Sequence, residues 1–227
     1  MGWSIRRLNR AQAINGAKTY LEIGVETGVT FKGVTVERKD GVDPYFAFDP
    51  ATLANDRVRL HALRSDAFWA SDLPLAYDLI MLDGLHTFEQ TFRDFLASLS
   101  HAHARTIWLI DDTVPSDVFS ALPDHSQSMR HRQRMGIPGY AWHGDVFKLV
   151  LALHDFFPTL SYATIINSGN PQTLVWKEPR AGFEPVMNSL EQISRLSFFD
   201  IDAHVARFNL VDEETAFARL TAGFAKA

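Results

Sequence analysis

Apolar residues in this chain gather into short runs separated by turn-forming residues, and most of the runs end on a carboxylate. Thr19 to Ile23 is the first, leading into a turn with Gly24 and Gly28 and with carboxylates at Glu22 and Glu26. Glu37 to Asp43 is the second, stopped by Pro44. Arg57 to Leu63 alternates as a third and leads to Ser65, Asp66 and Ala67. Tyr77 to Asp83 holds the unbroken run Leu79 to Leu82, the pattern of a strand covered on both faces of a parallel sheet. Thr106 to Ile110 ends in Asp111 and Asp112 before Pro115. Tyr162 to Ile166 and Thr173 to Trp176 flank Asn167, Ser168, Gly169, Asn170 and Pro171, which predicts an antiparallel hairpin closing the sheet.

Between these runs the apolar spacing changes to that of helices. Residues 4–18 predict a first helix, capped by Ser4, with Ile5, Leu8 and Ala11 on its face. A short helix follows the glycine turn, weakened by Gly33. Thr87 to Leu99 is amphipathic, with Phe88, Thr91, Phe92, Phe95, Leu96 and Leu99 on one side. Asp145 to Phe157 carries Val146, Leu149, Val150 and Leu153 as a stripe. From Pro185 onward, apolar residues such as Leu190, Ile193, Phe208, Phe217 and Leu220 predict one or two C-terminal helices, which either cover the domain or build an oligomer contact.

The alternation of strand and helix predicts an α/β fold: a Rossmann-like, doubly wound, mostly parallel seven-stranded sheet with an antiparallel last strand and extra terminal helices. Ligands bind such sheets outside the carboxyl ends of the strands. That edge is where Glu22, Asp43, Asp66, Asp83, Asp111 and Asp112 fall, a repetition that solvated loop charges do not explain. The expected organisation is one domain over residues 1–180, with an irregular lid or acceptor segment at 114–148, and a helical extension over 181–227. The stretch from Val114 to Gly144 is rich in Pro, Gly, Ser, His and Arg, and a loop of that length serves as a lid or binding segment or is disordered.

Composition narrows the function classes. With 46% hydrophobic and 22% charged residues in 227, the chain can build a sizeable core. A net charge of −5 argues against a nucleic-acid surface. Zero cysteine removes disulfides, thiolate catalysis and Cys-type zinc sites together. No apolar run reaches the roughly 18 residues that span a bilayer, and Met1 to Arg10 lacks the continuous apolar stretch of a signal peptide. A cytoplasmic enzyme or binding protein, without membrane attachment, is the expectation.

Four stretches carry a resemblance: Leu21-Glu22-Ile23-Gly24-Val25-Glu26-Thr27-Gly28, Gly41-Val42-Asp43-Pro44, Asp78-Leu79-Ile80-Met81-Leu82-Asp83-Gly84-Leu85-His86, and Leu109-Ile110-Asp111-Asp112. In that order and spacing the chain resembles class I S-adenosylmethionine-dependent methyltransferases over Tyr20 to Trp176. The likeness is to the small-molecule and sugar O-methyltransferase branch that includes macrocin-type enzymes. Glu26 stands where the Gly-x-Gly-x-x-Gly fingerprint of nicotinamide enzymes wants glycine, so an oxidoreductase is disfavoured.

The resemblance implies that Glu22, Gly24, Val25 and Gly28 hold the methionine end of the cofactor. It implies that Asp43 accepts from the ribose hydroxyls, and that Asp66 and Ala67 lie beside the adenine, with Asp83 adjoining. In metal-dependent members the ligands come from the ends of strands four and five, here Asp83, Asp111 and Asp112. Carboxylate oxygens suit Mg2+ or Mn2+. His86, three residues after Asp83, is implied as the general base toward the acceptor hydroxyl; the competing reading is a solvent-facing residue at a helix start. Trp142, His143 and Asp145 either line the acceptor or serve packing and capping. Arg132, with Arg130 and Arg134, either meets an anionic acceptor or is a solvated face. The acceptor expected is a sugar or other small hydroxylated metabolite, and the alternative function is a catalytically silent relative that binds a nucleotide or protein partner.

Overall fold

The computed structural model describes residues 2–71 and 76–225. Eight strands form one sheet in the order β3-β2-β1-β4-β5-β7-β6-β8. They are β1 (Thr19–Ile23), β2 (Arg38–Val42), β3 (Val58–His61), β4 (Tyr77–Leu82), β5 (Ala102–Ile110), β6 (Leu160–Ile165), β7 (Gln172–Lys177) and β8 (Leu210–Val211). The first five run parallel, β7 is antiparallel to both β5 and β6, and β8 pairs parallel with β6.

The period-two geometry of a strand divides the apolar runs between two cores. Leu21, Ile23, Ile80, Leu82, Trp108 and Ile110 point to one face, where they meet Phe68, Phe95 and the buried residues Phe147 to Leu153. Tyr20, Leu79, Met81, Ile107 and Leu109 point to the other, against Leu8, Ala11, Phe31, Phe217 and Leu220. Helices α3 (Ser65–Trp69), α4 (Phe88–Leu99) and α6 (Phe147–Phe156) supply the first layer; α1 (Trp3–Asn15), α2 (Val29–Gly33) and α8 (Glu213–Phe224) supply the second.

Several expectations shift. The first helix starts at Trp3 after Gly2, and Ser4 does not cap it: its buried hydroxyl accepts from Gln172 Nε2 at 2.7 Å. Helix α4 is capped by Thr87 as its sequence suggests, but Leu96 is turned outward and 41% exposed. Helix α6 is buried on all sides, so its stripe of four understates it. The irregular segment contains helix α5 (His125–Arg134), capped by Asp124 and too polar to show a helical stripe. After α7 (Leu190–Ser194) come two 3-10 turns, Phe198–Asp200 and Asp202–Phe208. The two-residue β8 then adds an eighth strand that is too short to leave an alternation in the sequence. Among the described residues no helix is long and apolar enough to cross a membrane.

The start and end of the chain are locked together by ion pairs. Glu213, at the first position of α8, accepts from Arg6 Nη2 at 2.8 Å and from Arg7 Nε at 3.0 Å, and Arg7 is fully buried. Burial would raise the Glu213 carboxyl, but hydrogen bonds from Arg6, Ser168 and Arg7 outweigh it and lower it from 4.5 to about 2. The folded state therefore holds the carboxylate more tightly than the unfolded chain. The stability so gained is fully present above about pH 4.5 and is lost as pH falls through 2. Glu213→Gln is expected to cost about 3 kcal/mol at pH 7, because it leaves a buried guanidinium without its counter-charge. Urea melts of the two proteins should converge as pH drops through that window; a gap independent of pH would contradict this account.

Candidate functional site

The strand order reverses between β1 and β4, and the crevice of the sheet opens there. Glu22 pairs with Met81 and Ile23 with Leu82, so the two strands end level. Asp83 N donates to Ile23 O at 2.8 Å and Asp111 N to Leu82 O at 3.0 Å, which carries the alignment one residue past each strand. Gly24 sits at φ +90°, and a Cβ there would lie 1.8 Å from the carbonyl oxygen of Asp83. Glycine at this position thus serves the contact between two strand ends, in addition to the tight turn and the ligand approach expected of it.

The following turn fixes Asp43. Glu26 N donates to one carboxylate oxygen and Tyr45 N to the other, each at 2.8 Å. Glu26 holds φ at 43°, an uncommon region for a residue with a side chain, and that bend aims its N–H at Asp43. Each oxygen keeps a lone pair free toward the cleft.

The cleft has a volume of about 1120 Å³ and is walled by residues 22–27, 42–45, 63–66 and 83–86, with Asp111, Asp112, His125, Tyr140 and Trp142. On its floor Asp83, His86 and Asp112 bring their ligand atoms within 4.8 Å of one another. His86 Nε2 lies 3.5 Å from Asp83 Oδ1, and its Nδ1 lies 3.0 Å from both Asp112 Oδ2 and the Trp142 carbonyl. The Trp142 indole stacks on the imidazole with centroids 4.7 Å apart. Poor solvation lifts the Asp83 carboxyl to about 6, against the hydrogen bond from His86 and with the charge of Asp112 adding to the rise. Burial works against charge on His86, but the Asp83 hydrogen bond and the Asp112 charge prevail and raise it to about 9. Glu22 is buried, accepts from the Tyr20 hydroxyl, and is pushed well above the usual carboxylate range by desolvation. Desolvation and the charges of Asp83 and Asp112 do the same to Asp111.

Of the residues singled out in the sequence, Glu22, Gly24, Val25, Asp43, Asp66, Asp83, His86, Asp111, Asp112 and Trp142 line this cleft. Asp66 stands at its rim, paired with Arg93 at 3.3 Å. The others are elsewhere. Gly28 caps α2 at φ 72°, close against the Phe48 ring, and Ala67 is exposed on α3. Arg132 is buried against Asp117, so it does not reach into the cleft as an anion receptor. His143 is buried with Nε2 3.1 Å from Asn170 Oδ1. Asp145 accepts from Phe88 N at 2.7 Å and Lys148 Nζ at 2.8 Å, fastening the start of α4 just beyond His86. Asp111 lines the cleft but stays outside the three-residue cluster.

Two contributors went unread in the sequence. Gly144, at φ +59°, presses against the His86 carbonyl, 1.6 Å from where its Cβ would be. Asn170, from the β6–β7 turn, donates to both Asp111 and Asp112. The Gly169-Asn170-Pro171 stretch signals a turn and says nothing of where it docks.

Residues 1–113 match the family model described as a methyltransferase domain. No curated protein matches the chain by sequence. Among solved structures, a putative caffeoyl-CoA O-methyltransferase from Staphylococcus aureus is 14% identical, with a TM-score of 0.54 over 78% of this chain and 84% of that one. The cofactor-bound protein Rv0187 from MTB is 16% identical, with a TM-score of 0.53 over 78% and 80%. An O-methyltransferase from Bacillus cereus in complex with SAH is 17% identical, with a TM-score of 0.50 over 77% and 80%. The fold is the one those structures share, and the match to a methyltransferase domain covers residues 1–113.

Because Gly24 meets backbone, nothing flexible can yield to a side chain there. Gly24→Ala is expected to lower stability by about 2–3 kcal/mol, read as a shifted urea midpoint. An unchanged midpoint would contradict the contact with Asp83.

Proposed function

We propose that the protein transfers a methyl group from S-adenosylmethionine to a hydroxyl of a small acceptor, a sugar or another small metabolite, with a divalent cation assisting. The observation that carries this reading is the convergence of Asp83, His86 and Asp112 on the cleft floor, beside the glycine turn and Asp43. S-adenosylmethionine supplies an electrophilic methyl group on a positively charged sulfur, and Mg2+ or Mn2+ supplies positive charge at the acceptor oxygen.

The residues suit both groups. Asp43, pinned by two backbone amides, offers acceptor-only oxygens for ribose hydroxyls. The acidic lining, with Glu26, Asp83, Asp111 and Asp112, favours a cationic ligand over an anionic one. Asp83 and Asp112 are hard oxygen donors of the kind Mg2+ and Mn2+ take. Asp111 lies outside the cluster that Asp83 and Asp112 form with His86, so we assign the ligand role to Asp83 and Asp112, with Asp111 behind them.

His86 is the candidate base. The carboxylates that raise it to about 9 keep it protonated near neutral pH. A proton and a cation would therefore compete for the same place; with a cation held by Asp83 and Asp112, the His86 imidazole would be left neutral and able to take the hydroxyl proton. The ring of Trp142, with His125 beside it at 4.9 Å and the exposed Tyr140, gives the acceptor a flat, apolar wall. Such a wall suits a ring-shaped acceptor held by stacking, sugar faces included.

Calorimetry with S-adenosylmethionine and S-adenosylhomocysteine tests the cofactor. Both are expected to bind, and Asp43→Ala should weaken each about 10- to 100-fold through lost charged hydrogen bonds. No binding of either ligand would overturn the methyltransferase reading. Once an acceptor is found among glycosides and phenols, His86→Ala should lower turnover by about 100-fold or more while leaving cofactor affinity intact. Chelator should do likewise, and full activity in its presence would remove the cation from the proposal.

A further inference from the structure

We propose that Asn170 is a positioning residue that decides which oxygen of Asp112 faces the cleft. The inference rests on the reading of the floor as a cation site for its consequence, and on the described contacts for its geometry. Asn170 arrives from the β6–β7 turn, and its Nδ2 donates to Asp111 Oδ1 and, at 2.7 Å, to Asp112 Oδ1. With Oδ1 so engaged, Asp112 presents Oδ2, which lies 3.0 Å from His86 Nδ1.

The amide orientation follows from charge. Turned over, Asn170 would place its oxygen against two carboxylates and leave both without their shared donor. The orientation that satisfies the carboxylates aims Asn170 Oδ1 at His143 Nε2, 3.1 Å away. His143 Nε2 must then carry a proton to donate, and its Nδ1 is buried with no partner among the described residues. The hydrogen bond of the imidazole thus goes to this amide, while the same Nε2 lies 3.8 Å from Asp112 Oδ1.

The main chain of the turn is held as well. The Asn170 carbonyl accepts from Arg7 Nη1 at 2.8 Å, and the Ser168 carbonyl from Arg7 Nη2 at 2.9 Å. Asp112 itself stands at φ 59°, a left-handed conformation that aspartate visits more readily than most residues with a side chain. Asp111 accepts from Asp112 N at 2.8 Å in addition to Asn170, so the two adjacent carboxylates are bridged rather than left to repel. Removing the amide leaves them adjacent with no shared side-chain donor, and Asp112 held by His86 on the Oδ2 side but no longer fixed by Asn170 through Oδ1.

The test compares wild type, Asn170→Ala and His143→Gln, each checked for an unchanged urea midpoint. Mn2+ uptake is followed by loss of the free-ion electron paramagnetic resonance signal, S-adenosylhomocysteine by calorimetry, and Asp112 in ion-free crystals. Asn170→Ala is expected to weaken Mn2+ by about tenfold or more while S-adenosylhomocysteine stays within about twofold. Its Asp112 carboxylate should be turned away from His86. His143→Gln keeps a donor toward Asn170 and should hold Mn2+ within about threefold of wild type. Should Asn170→Ala not fold, Asn170→Ser, whose hydroxyl cannot bridge both carboxylates, is read the same way. Unchanged Mn2+ affinity with Asp112 in its original place overturns the proposal. If wild type takes up no Mn2+, the cation reading fails by itself, and Asp112 in the ion-free crystals decides: an unmoved carboxylate refutes the role of Asn170.

Discussion

The backbone of Gly24 lies so close to that of Asp83 that no side chain fits between them, and the working end of the sheet depends on that approach. It brings the first turn against the strand that bears Asp83. The hydrogen bond from Asp83 N to Ile23 O then sets the height at which that carboxylate stands. His86 follows three residues later, and Asp111 is levelled by Leu82 O. A looser junction would leave the same residues present and their distances undetermined, since hydrogen-bonding sites tolerate little displacement.

Charge is the second constraint. Several carboxylates crowd one edge of the sheet, and their repulsion must be absorbed within the fold. Three devices do so. The Tyr20 hydroxyl donates to Glu22, backbone amides take Asp43, and the Asn170 amide bridges Asp111 and Asp112. His86 occupies the gap that remains, drawn by a carboxylate on either side. What is left unneutralised faces the cleft.

The parallel sheet was legible because its strands are buried on both faces and must be apolar in unbroken runs, as at Leu79 to Leu82. The strand ends were legible because glycine and aspartate mark them. Helix α5 was not, since its sequence is polar on every side and only Asp124 announces it. The carboxylates at 22, 43, 83, 111 and 112 could be placed on one edge by counting strands alone. His143 and Asp145, next to Trp142, read equally as acceptor contacts or as packing and capping residues. Their partners, Asn170 and Phe88 N, are distant in sequence and leave no local pattern. Asn170 was invisible for the same reason, since its value lies in a turn docking far from its own strands.

The clamp formed by Arg7 has an evolutionary implication. One buried guanidinium touches Glu213, Gln172, Ser168 and the carbonyl of Asn170, and so joins both ends of the chain to the floor of the cleft. None of these partners can change alone without stranding a charge or a donor. Positions 7, 172 and 213 are therefore expected to drift as a set across descendants of this sequence, while the exposed rim around Tyr45 and Tyr140 is free to diversify. Inheritance of the cleft's geometry in this lineage would then be recorded partly in residues that do not line it.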